Sequence, residues 1–213
     1  MTPADMNSRN EEVMRLAPVI PVLVIEDAAT AAPLAEALVA GGLPALEVTL
    51  RTPAALEAIR AMARVPGGRV GAGTLLTPAD VRAAKAAGAT FGVSPGVTPA
   101  LLQACIDEDL PLLGGAVTPS EVMVLLEAGL TTAKFFPAST SGGAPALKAL
   151  GGPLPQMRFC PTGSITLANA PDYLALDNVL CVGGSWVAPN DKVKSGDWAG
   201  IEALAREARK KLG

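Results

Sequence analysis

The sequence predicts an α/β fold, a single (β/α)8 TIM barrel over residues 1–213 with an extra N-terminal helix. Three observations lead there. Short apolar, β-branched runs alternate with Ala-rich helical stretches roughly every 20–30 residues, which is the repeat of strand–helix units feeding a parallel sheet. There are eight such runs, the number that closes a barrel, and the chain has 213 residues, within the roughly 200–250 of a compact barrel. The punctuation between runs is regular, with Thr-Pro at helix starts and Gly at helix ends.

In chain order, Asn10–Leu16 reads as a leading helix expected to cover the bottom of the barrel. The first strand is expected over Val19–Ile25 and its helix over Ala28–Ala40; the second pair follows at Leu43–Leu50 and Pro53–Arg64. Arg69–Thr74 with Pro78–Ala87, Thr90–Pro95 with Pro99–Asp107, and Leu110–Ala116 with Pro119–Ala128 repeat the unit. Thr131–Pro137 precedes a helix at Ala144–Leu150, Met157–Gly163 a shorter one near Leu167–Leu174, and Val179–Gly184 the final helix at Trp198–Leu212. Thr52-Pro53, Thr77-Pro78, Thr98-Pro99 and Thr118-Pro119 each read as an N-cap followed by proline at the first helical position. Ser139–Gly143 and Pro189–Gly196 read as loops, and nothing of linker composition divides the chain. An open doubly wound sheet is the competing arrangement; the first strand, Val22-Leu23-Val24-Ile25-Glu26, is not followed by the glycine fingerprint that such a sheet uses.

Composition narrows the function classes. A net charge of −3 and few aromatic residues speak against nucleic acid as a partner. No apolar run reaches the length of a membrane span, and the N-terminus lacks the pattern of a secretory signal. Cys105, Cys160 and Cys181 are odd in number and show no C-x-x-C spacing, so they read as buried thiols in a reducing compartment, and the expected location is cytoplasmic. The absence of histidine rules out a Ser-His-Asp triad and His-ligated zinc, and proton transfer falls to carboxylates, lysine, hydroxyls or water.

Of seven lysines, only Lys134 sits inside a strand-like run, and alternation puts Thr132, Lys134 and Phe136 on one face. A lysine inside a barrel beside aromatic rings is desolvated, which favours the neutral amine that a Schiff-base nucleophile needs. The same pattern also suits a structural ion pair. In Leu46-Glu47-Val48-Thr49-Leu50-Arg51 the apolar set suits the helix-facing side, which turns Glu47, Thr49 and Arg51 inward. An inward carboxyl is costly unless paired or functional, so Glu47 is either a proton-transfer group or the partner of Arg51 or Lys134. Arg51 offers a planar fork for a carboxylate. Gly71-Ala72-Gly73-Thr74 leaves room inside the barrel, with Thr74 able to hydrogen-bond a ligand. Pro161-Thr162-Gly163-Ser164 and Val182-Gly183-Gly184-Ser185 close strands seven and eight, where barrels often bind phosphate through backbone N–H groups.

These segments, together with Pro-Val-Leu-Val at 21–24, Val-Gly-Ala-Gly-Thr at 70–74, Val-Ser-Pro-Gly at 93–96, Lys-Phe-Phe-Pro-Ala at 134–138, Arg-Phe-Cys-Pro-Thr-Gly at 158–163 and Leu-Cys-Val-Gly-Gly-Ser-Trp at 180–186, occur in an order that resembles the 2-keto-3-deoxy-6-phosphogluconate (KDPG) and 4-hydroxy-2-oxoglutarate aldolase family. The resemblance implies a class I lyase of the Entner–Doudoroff pathway, homotrimeric, free of cofactor, acting on a small phosphorylated keto acid. It implies that Lys134 forms the Schiff base and that Glu47 moves protons through water. Arg51 and Thr74 would hold the pyruvate carboxylate, and Pro95 and Phe136 would line the pocket. Thr162 would influence the accepted C4 stereochemistry, while Gly163, Ser164, Gly184 and Ser185 would fall in the phosphate site. Ser164 departs from a glycine common in the family and adds a Cβ and a hydroxyl; Leu113-Gly114-Gly115-Ala116 and Ser139-Thr140-Ser141 depart as well. The rival readings are a phosphate-binding barrel of another activity, such as a sugar-phosphate isomerase or synthase, and a barrel that binds phosphosugar without turnover.

Overall fold

A computed structural model describes all residues, 1–213. Eight parallel strands make an α/β fold: β1 (Val19–Leu23), β2 (Ala45–Thr49), β3 (Arg69–Gly73), β4 (Phe91–Val93), β5 (Leu112–Leu113), β6 (Thr132–Phe135), β7 (Arg158–Pro161) and β8 (Val182–Gly184). Six form a curled sheet in the order β5-β4-β3-β2-β1-β8, and β6 pairs with β7. The two groups meet at both seams through isolated bridges, Gly115 with Lys134 on one side and Phe159 with Val179 and Thr162 with Gly183 on the other. Several strands are shorter than the apolar runs predict, β5 most of all, which at its seam with β6 makes a single bridge instead of a continuous ladder.

Ten helices surround the strands. α4 (Pro78–Ala86), α5 (Pro99–Asp107) and α6 (Pro119–Glu127) start as the Thr-Pro pairs predict: Thr77, Thr98 and Thr118 accept from the backbone N–H of Asp80, Leu101 and Glu121. In α4 and α6 the carboxylate at the third position returns to the threonine N–H, completing a capping box of about 1 kcal/mol. Thr52 does not behave this way. Its hydroxyl donates to Ile25 O at 2.5 Å, fastening the β2 exit to the β1 exit, and α3 (Ala55–Met62) begins after it without a side-chain cap. Thr2-Pro3 supplies the fourth capped start instead, so α1 runs Pro3–Met14 and not Asn10–Leu16. The second predicted helix is divided into a 3-10 turn at Ala28–Thr30, capped by Asp27, and α2 (Ala31–Ala40). α7 (Gly143–Gly151), α8 (Ala170–Leu174) and α10 (Trp198–Leu212) follow β6, β7 and β8. The segment read as a loop at Pro189–Gly196 contains a short helix, α9 (Asn190–Ser195), stopped by Gly196 in the left-handed conformation. No helix is long and apolar enough to cross a membrane.

Alternation divides the apolar residues into two layers. Leu46, Val48, Ala133, Phe135 and Phe159 face outward into the main core beneath the helices. Ile20, Ala45, Phe91, Leu113, Cys160 and Cys181 face inward and form a smaller core with Val13 and Met14 of α1. This inner core fills one end of the curl, and Asn10 closes it with hydrogen bonds from Nδ2 to Leu112 O at 2.9 Å and Thr132 Oγ1 at 3.0 Å. All three cysteines are buried and unpaired by disulfide. What remains open is the opposite end, at the carboxyl ends of the strands.

Candidate active site

Parallel pairing fixes the two charged residues inside the curl. On β2, Glu47 lies between Val22 of β1 and Gly71 of β3; on β6, Lys134 lies beside Cys160 of β7 and bridges to Gly115. The two strands face each other across the interior, and Lys134 Nζ donates to Glu47 Oε1 at 3.0 Å and to Oε2 at 3.4 Å. Both are buried, Lys134 at 4% exposure and Glu47 at 3%. Placing such a pair inside a protein costs several kcal/mol of desolvation, and a well-packed apolar pair of the same volume is often as stable or more so. Stability alone therefore does not explain it. The amine also lies 5.2 Å from the centre of the Phe136 ring.

The carboxylate needs room, and Gly73 provides it. A Cβ at residue 73 would lie 2.7 Å from Glu47 Cγ and 2.9 Å from Cδ. This is the physical content of the small residues on β3. Thr49, by contrast, is fully buried and donates to Leu23 O at 3.0 Å, so it serves the sheet.

Above the ion pair lies a cavity of about 220 Å³, lined by Lys134, Phe136 and Arg51 on one side and by Thr162, Gly163, Ser164, Gly184 and Ser185 on the other. Arg51 is held at its rim by Thr74, whose hydroxyl accepts from Arg51 Nε at 3.2 Å. Thr74 does this from a left-handed backbone, φ 62°. The N–H groups of Gly163, Ser164, Ile165, Ser185 and Trp186 find no acceptor within the chain. Two glycine-bearing turns thus offer free donors to the cavity that also contains the amine.

The structure brings together Lys134, Glu47, Arg51, Thr74, Phe136, Thr162, Gly163, Ser164, Gly184 and Ser185. Pro95 lies elsewhere: it lines a separate recess of about 420 Å³ with Ser94, Gly96 and Val97. Neither that recess nor another of about 420 Å³ near Arg158 contains the amine. Gly183, part of the turn expected to bind phosphate, lines the cavity as well, and so do Val22, Val24 and Ile165, to which the sequence assigned no role. The alternation of β1 could have pointed to Val22 and Val24, but apolar residues carry no chemical signal. No group of His, Cys, Asp and Glu side chains is arranged to hold a metal ion.

Chemically, a buried primary amine touching a carboxylate beneath a cavity with an arginine at one side and anion donors at the other can form and protonate an imine of a bound keto acid. The model of the KDPG and KHG aldolase family matches residues 10–204. The 2-dehydro-3-deoxy-phosphogluconate aldolase of Dickeya dadantii is 52% identical over 199 residues, 93% of each chain. Among solved structures, a 2-keto-3-deoxy-6-phosphogluconate aldolase of Zymomonas mobilis with 3-phosphoglycerate superposes with a TM-score of 0.91 at 54% identity, covering 96% of both chains. A KDPG aldolase of Legionella pneumophila, with pyruvate captured as a covalent carbinolamine, superposes with a TM-score of 0.91 at 46% identity, covering 93% of this chain and 97% of that one.

Proposed function

The chain belongs to the KDPG and KHG aldolase family, and from that premise we propose how its own residues carry out the cleavage of KDPG to pyruvate and glyceraldehyde 3-phosphate. The observation that carries the reading is the buried contact of Lys134 Nζ with Glu47 at 3.0 Å. Lys134 yields a proton to Glu47, and the free amine attacks the C2 ketone to give a carbinolamine. Glu47 returns that proton to the carbinolamine hydroxyl, which leaves as water, so the carboxylate is ionised again and an iminium, an electron sink, remains. Glu47, relayed by water, takes the proton from the C4 hydroxyl. The C3–C4 electron pair moves into the iminium, glyceraldehyde 3-phosphate departs, and an enamine remains. Protonation at C3 and hydrolysis release pyruvate and restore the amine. Each proton taken by the carboxylate is returned later in the cycle, so no cofactor enters the balance.

Arg51, steadied by Thr74, pairs with the substrate carboxylate. The free N–H groups after β7 and β8, with the Ser185 hydroxyl, receive the phosphate, and Phe136 and Thr162 pack along the sugar chain, Thr162 beside C4. Pro95 lines the neighbouring recess together with Gly115, where a Cβ on residue 115 would collide with the Pro95 carbonyl. The same machinery suits 4-hydroxy-2-oxoglutarate, which lacks the phosphate. We read the eight strands as one closed (β/α)8 barrel, supported by the bridges across both seams, with residues 1–213 as one domain and α1 covering its bottom. The assembly is taken as a homotrimer working in the cytoplasm, on the strength of family membership.

The test is borohydride reduction in the presence of pyruvate followed by peptide mapping. A reduced pyruvate adduct on Lys134 is the expected result; its absence, or an adduct on another lysine, overturns the mechanism and reopens the isomerase or synthase reading.

A further inference from the structure

Three residues other than glycine have left-handed backbone: Thr74 (φ 62°), Asp109 (φ 50°) and Ser164 (φ 58°). A side chain in that region costs on the order of 1 kcal/mol and persists only where the surroundings impose it. Asp109 lies far from the cavity and pairs with Arg9 at 2.9 Å. Thr74 uses its conformation to bring a hydroxyl to Arg51. Ser164 is different. Its hydroxyl makes no hydrogen bond within the chain, while its carbonyl accepts from Asn169 Nδ2 at 3.1 Å. Asn169 is itself locked to Thr166, whose N–H donates to Asn169 Oδ1 at 2.8 Å. The loop is thus fixed from its far side, and a serine occupies a conformation that glycine would adopt freely. It lines the cavity between Gly163 and Ile165, across from Ser185, among N–H groups that also lack an acceptor.

We propose that the Ser164 hydroxyl is a specificity-determining contact, donating to the substrate phosphate and so favouring phosphorylated over unphosphorylated keto acids. The proposal rests on the phosphate site described above. A hydroxyl-to-phosphate bond is charge-assisted, and its loss is felt only by a substrate that carries the phosphate.

The experiment measures kcat/KM for KDPG and for 4-hydroxy-2-oxoglutarate with wild type, Ser164→Gly and Ser164→Ala, together with thermal melts. The ratio of the two specificity constants is expected to fall about tenfold or more in both variants. The melting temperature of Ser164→Gly is expected at or above that of wild type, because glycine removes the backbone strain. An unchanged ratio in both variants overturns the proposal, as does a fall in only one of them, which would trace the effect to loop geometry. A wild-type ratio near unity would instead remove the phosphate site itself, and the proposal with it.

Discussion

Replacing Lys134 by methionine keeps most of the side-chain volume and removes the charge. In the wild type the amine and the Glu47 carboxylate are buried and 3.0 Å apart, with no other cation bonded to Glu47. The substitution strands a carboxylate in an apolar interior. Breaking one side of a buried pair costs about 3–5 kcal/mol, and for a chain of this size each kcal/mol lowers the melting temperature by about 2–4 °C. The melt of Lys134→Met should therefore fall by roughly 6–20 °C. The double variant Lys134→Met/Glu47→Leu should recover most of that loss, because an apolar pair of similar volume has no desolvation to offset. Both proteins should be inactive, so stability and turnover come apart. Differential scanning calorimetry of wild type, Lys134→Met, Glu47→Leu and the double variant closes the cycle. A single variant within about 1 kcal/mol of wild type, or a double variant no better than the single, would refute the view that this pair is held at the expense of stability.

Gly73→Ala drives a Cβ against the Glu47 side chain. Displacing the carboxylate by about 1 Å should lower kcat on the order of 100-fold with KM little changed, as read from steady-state kinetics. Burial pushes the Cys105 thiol up to about 12 from 9.0. Its raised folded value means that the contribution to stability is full below pH 9 and declines as the pH rises from there towards 12, where the unfolded chain gains by ionising. By pH 10.5 the loss is roughly 2 kcal/mol, and Cys105→Val should remove that part of the alkaline decline in denaturant titrations.

The repeat of strands and helices was legible because alternation and Thr-Pro punctuation are local signals. Lys134 and Glu47 stood out for the opposite reason: charged residues inside apolar runs conflict with burial, and such conflicts gather at functional sites. What the sequence concealed was set by distant partners. Thr52 and Thr2 carry the same dipeptide signal, yet Thr52 is claimed by the Ile25 carbonyl across the sheet while Thr2 caps a helix. The helix at Asn190–Ser195 is too short for apolar periodicity; Pro189 before it and Gly196 after it were the available clues. Val22, Val24 and Ile165 reach the cavity only through strand register and loop placement. Pro95 shows the converse, a residue picked out by its motif that lines a separate recess together with Gly115.

The carboxamide of Asn10 grips the chain at the join where the six-stranded group gives way to β6, one bond on each side of it. Apart from the bridge at Gly115, it is a pin driven through the joint nearest the nucleophile. The position of the reacting amine relative to its carboxylate, which come from separate sheets, is thereby tied to a residue near the amino terminus, at the far end of the curl. Trimming the first helix would loosen the catalytic pair without touching either of its members.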